Sequence, residues 1–350
     1  MLLSTDMSCF STLHESRVAL VVGANSRLGL NICYRFLREI PEHTDLTLIV
    51  TSRTLKGTQQ AIGAIERYAL KHLKRSGKLE FDYLVMDFTQ MKSVASASRD
   101  LHKNYRRVDY MFVNSCQTVD TEISLSSLAS QTLSNPTESV KYPAYKTQTV
   151  GDKSQDGLGL VFQGNVFGPY YFVNTIKSLL QDGGRLVWIS YAMSELEYVS
   201  FDDLQLLHSS MPFEGSKRLI DLMHFGTYEP LSKIGIVQYL THPGVFAKYS
   251  LLSKMGILGY YYILLVFYFA RVFGSPYHIV SGYSAANAPV HCALNGGRPD
   301  SKIGSSCARF GLEMRTDVEV YSVGSSEVVS YLDLLCNEWD AKLEKELKNK

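Results

Sequence analysis

The chain has 350 residues, of which 45% are apolar and 20% charged, and this composition excludes a disordered polypeptide. Its 35 Lys and Arg residues nearly balance 34 Asp and Glu residues, which leaves a formal net charge of +1. That balance argues against a protein held to nucleic acid by phosphate electrostatics, so no nucleic-acid partner is expected.

The cysteine pattern predicts neither a disulfide framework nor a metal site. No C-x-x-C pair occurs, and no cysteine has a zinc-ligand spacing to a histidine or to another cysteine. Free thiols in a reducing compartment are therefore expected. Residues 1–16 lack the basic start and apolar run of a secretory signal, and we interpret them as a loose polar extension.

From Arg17 onward, short apolar runs alternate with helical patterns, which is typical of βαβ units around a mostly parallel sheet. The predicted strands cover residues 18–22, 46–50, 81–86, 108–113, 185–189 and 234–240. The predicted helices between them cover residues 28–40, 56–74, 93–104, 158–180 and 214–228. The sequence thus predicts an α/β fold with a Rossmann-type, doubly wound parallel sheet over residues 17–244.

Two segments depart from this rhythm. Residues 117–155 are rich in Ser and Thr and show no strong periodicity, so we interpret them as an insertion. Residues 245–350 are assigned to the same domain as a substrate lid or membrane-associated segment with C-terminal helices. Within them we expect a helix near residues 283–294, a strand at 318–321 and a charged helix at the end of the chain.

The first strand is followed by a glycine-containing turn, residues 23–29, which reads G-A-N-S-R-L-G. Backbone N–H groups and the helix dipole at such a position hold the pyrophosphate of a dinucleotide. Two glycines six residues apart are weak by themselves, and an ordinary βα turn is the alternative. The strand before the turn and the helix after it favour the cofactor site.

Polar residues after the later strands extend this prediction. Arg53 follows the second strand, and residues 50–53 contain no carboxylate to bind a ribose hydroxyl. With Arg27, it provides two guanidiniums for a 2′-phosphate, which favours NADP(H) over NAD(H); the alternative is that both arginines are only solvated. Asp87 follows the third strand and fits an adenine amino group, while Asn114 after the fourth lines the cleft.

These features resemble the short-chain dehydrogenase/reductase superfamily, and longer runs narrow the resemblance. Residues 165–172 (N-V-F-G-P-Y-Y-F), 214–219 (E-G-S-K-R-L), 270–276 (A-R-V-F-G-S-P) and 285–290 (A-A-N-A-P-V) look like the fungal 3-keto-steroid reductases of sterol biosynthesis. The resemblance implies NADPH-dependent reduction of a sterol 3-ketone to a 3β-alcohol during C-4 demethylation. It also implies other sterol-biosynthetic enzymes as partners, and the endoplasmic reticulum membrane, at its cytoplasmic face, or lipid droplets as the location.

The resemblance also assigns roles to residues. In the family a Tyr protonates the carbonyl oxygen, a Lys holds the ribose and lowers the Tyr pKa, a Ser polarises the carbonyl and an Asn supports a proton-relay water. Lys217, Ser190 and Asn165 match the last three roles, and Ser194 is a fallback for the Ser. The implied cofactor-binding residues are Gly23, Arg27, Leu28, Gly29, Thr51, Arg53, Asp87, Asn114, Lys217, Gly244 and Val245.

One departure from the family pattern concerns the catalytic acid. The Tyr position, four residues before Lys217, holds Phe213, which has no hydroxyl to donate. A positioned acid contributes about 10²- to 10⁴-fold, so a severe loss is expected unless Tyr191, Tyr198 or a water on Ser190 replaces it. A catalytically weakened relative that acts as a scaffold for sterol-biosynthetic enzymes is the alternative hypothesis.

Milder departures are Val22 for a Thr, Arg27 for a Gly and Ala247 for a Thr near the nicotinamide. A third hypothesis keeps the cofactor and changes the substrate to another membrane lipid, such as a retinoid or an acyl ketone.

An uncharged, aromatic segment lies between Lys254 and Arg271. As a helix it would reach roughly 24 Å, short of the roughly 30 Å hydrocarbon core of a bilayer, so a transmembrane span is not expected. Its tyrosines and flanking cations suit a membrane surface, where a lid would admit a sterol directly from lipid. A buried core helix is the alternative.

Overall fold

The computed structural model describes residues 15–119, 121–123, 130, 146–245, 256–257, 261, 264–265, 267–269, 271–272, 274–275, 277–279 and 281–348. Its main sheet has eight strands, which are β1 (Ser16–Val21), β2 (Asp45–Ser52), β3 (Leu79–Val85), β4 (Tyr110–Val113), β7 (Arg185–Ile189), β8 (Val237–His242), β9 (Lys302–Cys307) and β10 (Glu313–Val318). Strands β5 (Thr121–Ile123) and β6 (Lys146–Gln148) form a separate pair. The order in the main sheet is β10-β9-β8-β7-β4-β1-β2-β3, and all neighbours are parallel except β9 and β10, which are antiparallel.

Helices cover both faces of the sheet, and two buried hydrophobic clusters fill the space between the helices and each face. The helices include α1 (Arg27–Glu39), α2 (Leu55–His72), α3 (Met91–Asn104), α4 (Leu160–Phe162), α5 (Gly168–Thr175), α6 (Lys177–Leu180), α7 (Pro212–Lys233), α8 (Gly282–Ala285), α9 (Asn287–Asn295) and α10 (Ser325–Lys348). A π-helical turn, Gln163–Phe167, joins α4 to α5. This arrangement confirms the predicted Rossmann-type fold.

Burial, strand pairing and helix capping explain where the first strand and the first helix form. The β1 side chains become buried toward its carboxyl end, and β1 pairs with β2 from Ser16 to Val21. The α1 helix begins after Ser26, whose hydroxyl accepts a hydrogen bond from Gly29 N at 3.0 Å. Capping by a Ser side chain satisfies one of the unpaired N–H groups at a helix start. The glycine-containing turn is thereby fixed between the carboxyl end of β1 and the start of α1.

The sheet continues beyond residue 244, and here the sequence interpretation was incomplete. The β9 strand was not predicted, and the strand expected at 318–321 was wrong in position because β10 covers Glu313–Val318. The β9 sequence K-I-G-S-S-C is mostly polar, yet every one of its residues is buried. Strand β9 is buried because it pairs with β8 on one side and with β10 on the other. Its own sequence pattern does not predict this burial.

The 117–155 insertion contains more order than the sequence predicts. Strands β5 (Thr121–Ile123) and β6 (Lys146–Gln148) pair antiparallel, and most of the residues between them lie outside the described part of the chain. At the end of β6, the Gln148 side chain accepts a hydrogen bond from Phe213 N at 3.2 Å and donates one to Glu214 at 2.7 Å. The insertion therefore caps the start of α7.

Candidate functional site

The turn after β1 is held closed by side chains from the two neighbouring strands. Gly23 N donates to Thr51 Oγ1 at 3.1 Å, and Asn114 Nδ2 donates to Ser26 Oγ at 2.9 Å and to Gly23 O at 3.3 Å. Gly23 has φ +62°, and a Cβ there would lie 2.7 Å from Asn114 O. The residues thus form a tight nest of backbone groups at the start of α1.

Thr51 and Asn114 were predicted to bind cofactor, and in this structure both support the turn. Thr51 is buried, and its hydroxyl accepts from Gly23 N. Leu28 is buried in the first turn of α1, beside half-buried Arg27. The α1 amino terminus carries no acidic side chain in its first turn, which leaves its dipole available to an anion.

Two further residues predicted to bind the cofactor lie after β2 and β3. Arg53 is exposed, and its Nη1 donates to Gln117 Oε1 at 3.3 Å. Asp87 Oδ1 accepts hydrogen bonds from Thr89 N at 2.9 Å and Thr89 Oγ1 at 2.8 Å. Because β4, β1, β2 and β3 are adjacent in that order, these side chains extend along one sheet edge from the glycine turn.

Three predicted catalytic residues meet at the carboxyl ends of β4 and β7. Lys217 Nζ is buried and donates to Ser115 O at 2.9 Å and Ile189 O at 3.0 Å. Ser190 directly follows β7, and its hydroxyl lies 3.2 Å from Lys217 O. The ammonium of Lys217 is thus fixed between the two strand ends, next to Ser190.

Asn165 completes the group from the π-helical turn. Its Oδ1 accepts from Gln117 N at 2.6 Å, and its Nδ2 donates to Gln117 O at 2.8 Å and Ser216 Oγ at 3.0 Å. A π turn inside a helix is rare and frequent at functional sites. The Asn165 side chain therefore clasps the loop after β4 and connects it to α7 beside Lys217.

Phe213 lies at the position that the family resemblance assigns to the catalytic acid. Its ring centroid lies 5.8 Å from Lys217 Nζ, so the ring faces the buried ammonium. The Tyr191 ring meets it edge-on, with centroids 5.9 Å apart and planes at 64°. Tyr198 lies in a 3-10 turn, and its own carbonyl oxygen lies close to Gly215. Tyr191 is therefore in ring contact with Phe213.

A buried charge pair below this group was missed by sequence reasoning. Asp221 Oδ2 accepts from Lys302 Nζ at 2.8 Å, and Asp221 Oδ1 accepts from Ser190 Oγ at 2.5 Å. Ser194, the fallback for the catalytic Ser, donates to Asp221 Oδ2 at 2.5 Å. The only sequence signal was the i, i+4 spacing of Asp221 from Lys217 on α7, which places both on one helix face.

Gly244 and Val245, which the resemblance implies as cofactor-binding residues, follow β8. Gly244 has φ +68°, and its N–H donates to His242 Nδ1 at 3.1 Å. Burial, and secondarily Lys302, lower the pKa of His242 to about 3, so the ring is neutral. Val245 forms a parallel β-bridge with His278, which fixes the backbone that follows β8. The departure at Ala247 lies outside the described residues.

The uncharged segment between Lys254 and Arg271 packs one face against this edge. Residues 256–257, 261, 264–265, 267–269 and 271–272 are helical where described. Phe267 is buried with Val245 and Met193, and half-buried Leu264 and Tyr191 pack on that cluster. Within the part of the chain that the structure describes, no helix has the length and apolar content needed to cross a bilayer.

The comparisons with known proteins agree with this geometry. No model of a protein family matches the chain. A 3-keto-steroid reductase of Debaryomyces hansenii is 50% identical over 96% of this chain and 97% of the relative. Named relatives from Candida albicans and Saccharomyces cerevisiae, also 3-keto-steroid reductases, are 49% and 42% identical and cover 97% and 95% of this chain. The chain belongs to the 3-keto-steroid reductase family.

Solved structures share the fold of this family member at low sequence identity. L-sorbose reductase from Gluconobacter frateurii, solved with NADPH and L-sorbose, is 12% identical, with a TM-score of 0.54 over 81% of this chain and 91% of that chain. Actinorhodin polyketide ketoreductase, solved with NADPH, is 16% identical, with a TM-score of 0.53 over 80% and 92%. These likenesses support the Rossmann-type architecture.

Proposed function

We propose that this protein is an NADPH-dependent reductase that converts a sterol 3-ketone to its 3β-alcohol. The observation that carries the proposal is the 50% identity to a 3-keto-steroid reductase along almost the whole of both chains. The site adds chemical support, because Lys217, Ser190 and Asn165 lie together at the sheet edge that begins with the glycine turn.

The residues present fit NADPH. The nest at residues 23–26 and the α1 amino terminus would hold the pyrophosphate, and Arg53 with Arg27 would hold the 2′-phosphate. Asp87 would accept from the adenine amino group, and the Lys217 ammonium would donate to the nicotinamide ribose. When bound, NADPH supplies the hydride that reduces the ketone.

The Arg53 prediction separates the two nucleotides. We expect Arg53→Ala to weaken NADPH binding by about 10-fold or more, because a charge-assisted bond to the 2′-phosphate is lost, while NADH binding stays unchanged. Fluorescence titration of both nucleotides measures this, with Arg99→Ala on α3 as the control. An equal loss for NADH and NADPH would reject Arg53 as a 2′-phosphate ligand, and no uptake of either would reject the proposed function.

The protein's own residues must also deliver a proton to the ketone oxygen. Phe213 has no proton to give, so the phenol of Tyr191, in edge contact with Phe213, is proposed as the replacement donor. Asn165 holds the loop after β4 in place, and the buried Lys217 ammonium places a positive charge 5.8 Å from the Phe213 ring centroid. That charge favours any phenol near it in the ionised form that remains after proton transfer.

We further propose that the protein acts at a membrane or lipid-droplet surface, including the cytoplasmic face of the endoplasmic reticulum. Among the described helical residues between 256 and 272, five exposed apolar side chains are spaced three or four residues apart, which places them on one face of a helix. They are Ile257, Tyr261, Leu265, Phe269 and Val272. The opposite face, with Phe267, packs beside Val245, so a sterol would pass from lipid to the site without crossing water. Other sterol-biosynthetic enzymes as partners remain a prediction.

Flotation with vesicles tests the surface proposal. We expect the native protein to float with vesicles of phosphatidylcholine, and Leu265→Ser combined with Phe269→Ser to bind at least about tenfold more weakly, since apolar surface no longer enters the lipid. Leu70→Ser, at an exposed apolar residue of α2, is the matched control. Equal flotation of both variants and the native protein would reject this face as the docking surface.

A further inference from the structure

The cluster below Ser190 contains a fully buried carboxylate and a buried ammonium that the reaction described above does not use. The Asp221 side chain is 0% exposed and that of Lys302 4% exposed. Lys302 Nζ also donates to Ser194 Oγ at 2.6 Å and to Tyr191 O at 3.2 Å. Strand β9 thus brings Lys302 to the underside of the loop that carries Ser190, Tyr191 and Ser194.

Three groups point a proton at Asp221. A carboxylate in contact with an ammonium accepts hydrogen bonds and donates none. Asp221 Oδ2 accepts from Lys302 and Ser194, and Oδ1 accepts from Ser190 at 2.5 Å. A hydroxyl has a single proton, and at Ser190 the carboxylate is the nearer and stronger acceptor, with Lys217 O second at 3.2 Å.

We infer that Asp221, held by Lys302, is a positioning residue that keeps the Ser190 proton away from the substrate, so Ser190 meets its ligand as a hydrogen-bond acceptor. This inference rests on the proposed function and changes the role expected for Ser190, which the family resemblance makes a donor to the ketone oxygen. An accepting Ser190 binds a 3-hydroxyl, which can donate to it, and gives nothing to a 3-ketone, which can only accept.

The energetics support a dedicated role. Burying an ion pair costs several kcal/mol in desolvation for each ion, and apolar residues of similar volume in place of such a pair are often neutral or stabilising. The pair is therefore a poor device for stability alone. Its contacts are instead concentrated on the hydroxyls and the backbone of the loop that follows β7.

Equilibrium binding in dead-end complexes tests the inference without turnover. Cholest-7-en-3-one is titrated into the protein with NADP⁺, and cholest-7-en-3β-ol into the protein with NADPH, so that neither complex can react. We expect Ser190→Ala to weaken the alcohol by about three- to tenfold and to leave the ketone unchanged. Asp221→Leu with Lys302→Met removes both charges together, releases the Ser190 proton, and should tighten the ketone by about three- to tenfold.

Controls separate positioning from folding. Glu313→Gln removes a charge from the Arg35 ion pair on β10, away from Ser190, and should change neither ligand. Thermal unfolding verifies that each variant is folded, and the Ser190→Ala titrations stand alone if the double variant does not fold. Weaker ketone binding in Ser190→Ala, or unchanged ketone binding in a folded double variant, would overturn the inference. Nucleotide binding without binding of either sterol would reject the proposed function itself.

Discussion

Replacing Phe213 by Tyr is expected to raise the rate of sterol 3-ketone reduction by about 10- to 10³-fold in a single turnover with NADPH. A positioned general acid usually contributes about 10²- to 10⁴-fold, and Tyr191 already supplies about tenfold of that contribution in the native protein. The Phe213 ring already faces the Lys217 ammonium, which would lower the pKa of the new phenol by favouring its ionised form. Rapid-quench sampling of sterol alcohol measures the rate.

Two controls make this result interpretable. Phe213→Leu removes the ring without adding a proton donor and should stay at the native rate or below it. Tyr191→Phe should lower the native rate by about tenfold or more and matter less once Tyr stands at position 213, because the two phenols then supply the same proton. A native chain that is already fast, with no gain from Phe213→Tyr, would contradict a proton deficit at this position.

A second large effect is expected at Gly29. A Cβ at this position would lie 2.7 Å from Ala24 Cα and closer still to the Gly23 carbonyl oxygen, and both are backbone atoms that cannot rotate away. We expect Gly29→Ala to lower the free energy of unfolding by about 3 kcal/mol and to weaken NADPH binding by about 100-fold, because the turn must open. Urea unfolding and nucleotide titration measure the two effects.

Gly63→Ala is the matched control for this change. Gly63 lies inside α2, where an added Cβ would meet only the Arg67 guanidinium at 3.4 Å. Ala is favoured over Gly in a helix by roughly 1 kcal/mol, so this variant should be slightly more stable and bind NADPH normally. Native affinity in a folded Gly29→Ala protein would contradict the nest at residues 23–26 and the α1 amino terminus as the pyrophosphate site.

Local patterns predicted the first half of the fold because most elements there bury their own apolar residues. The strands that end before Arg53 and Asn114 bury most of their residues, whereas β3, before Asp87, exposes Tyr83 and Val85. The parallel arrangement of the sheet places Arg53, Asp87 and Asn114 on one edge. The glycine turn was also predictable, since strand, turn and helix follow one another without interruption.

The second half could not be predicted from periodicity because its key contacts are distant in sequence. Lys302 and Asp221 are 81 residues apart, and Lys302 lies in a strand that is buried although polar. Gln148 reaches the start of α7 from an insertion without periodicity, 65 residues before Phe213. These contacts form only when distant segments of the chain come together, so the sequence of one segment alone does not predict them.

The most direct measurement for the whole account is transfer of deuterium from NADPH deuterated at nicotinamide C4 to cholest-7-en-3-one, followed by mass spectrometry of the sterol. The account predicts a 3β-alcohol with one deuterium on C3, formed slowly by the native protein and rapidly by Phe213→Tyr. An unreduced sterol in both proteins, with NADPH bound and the ketone in excess, would contradict it.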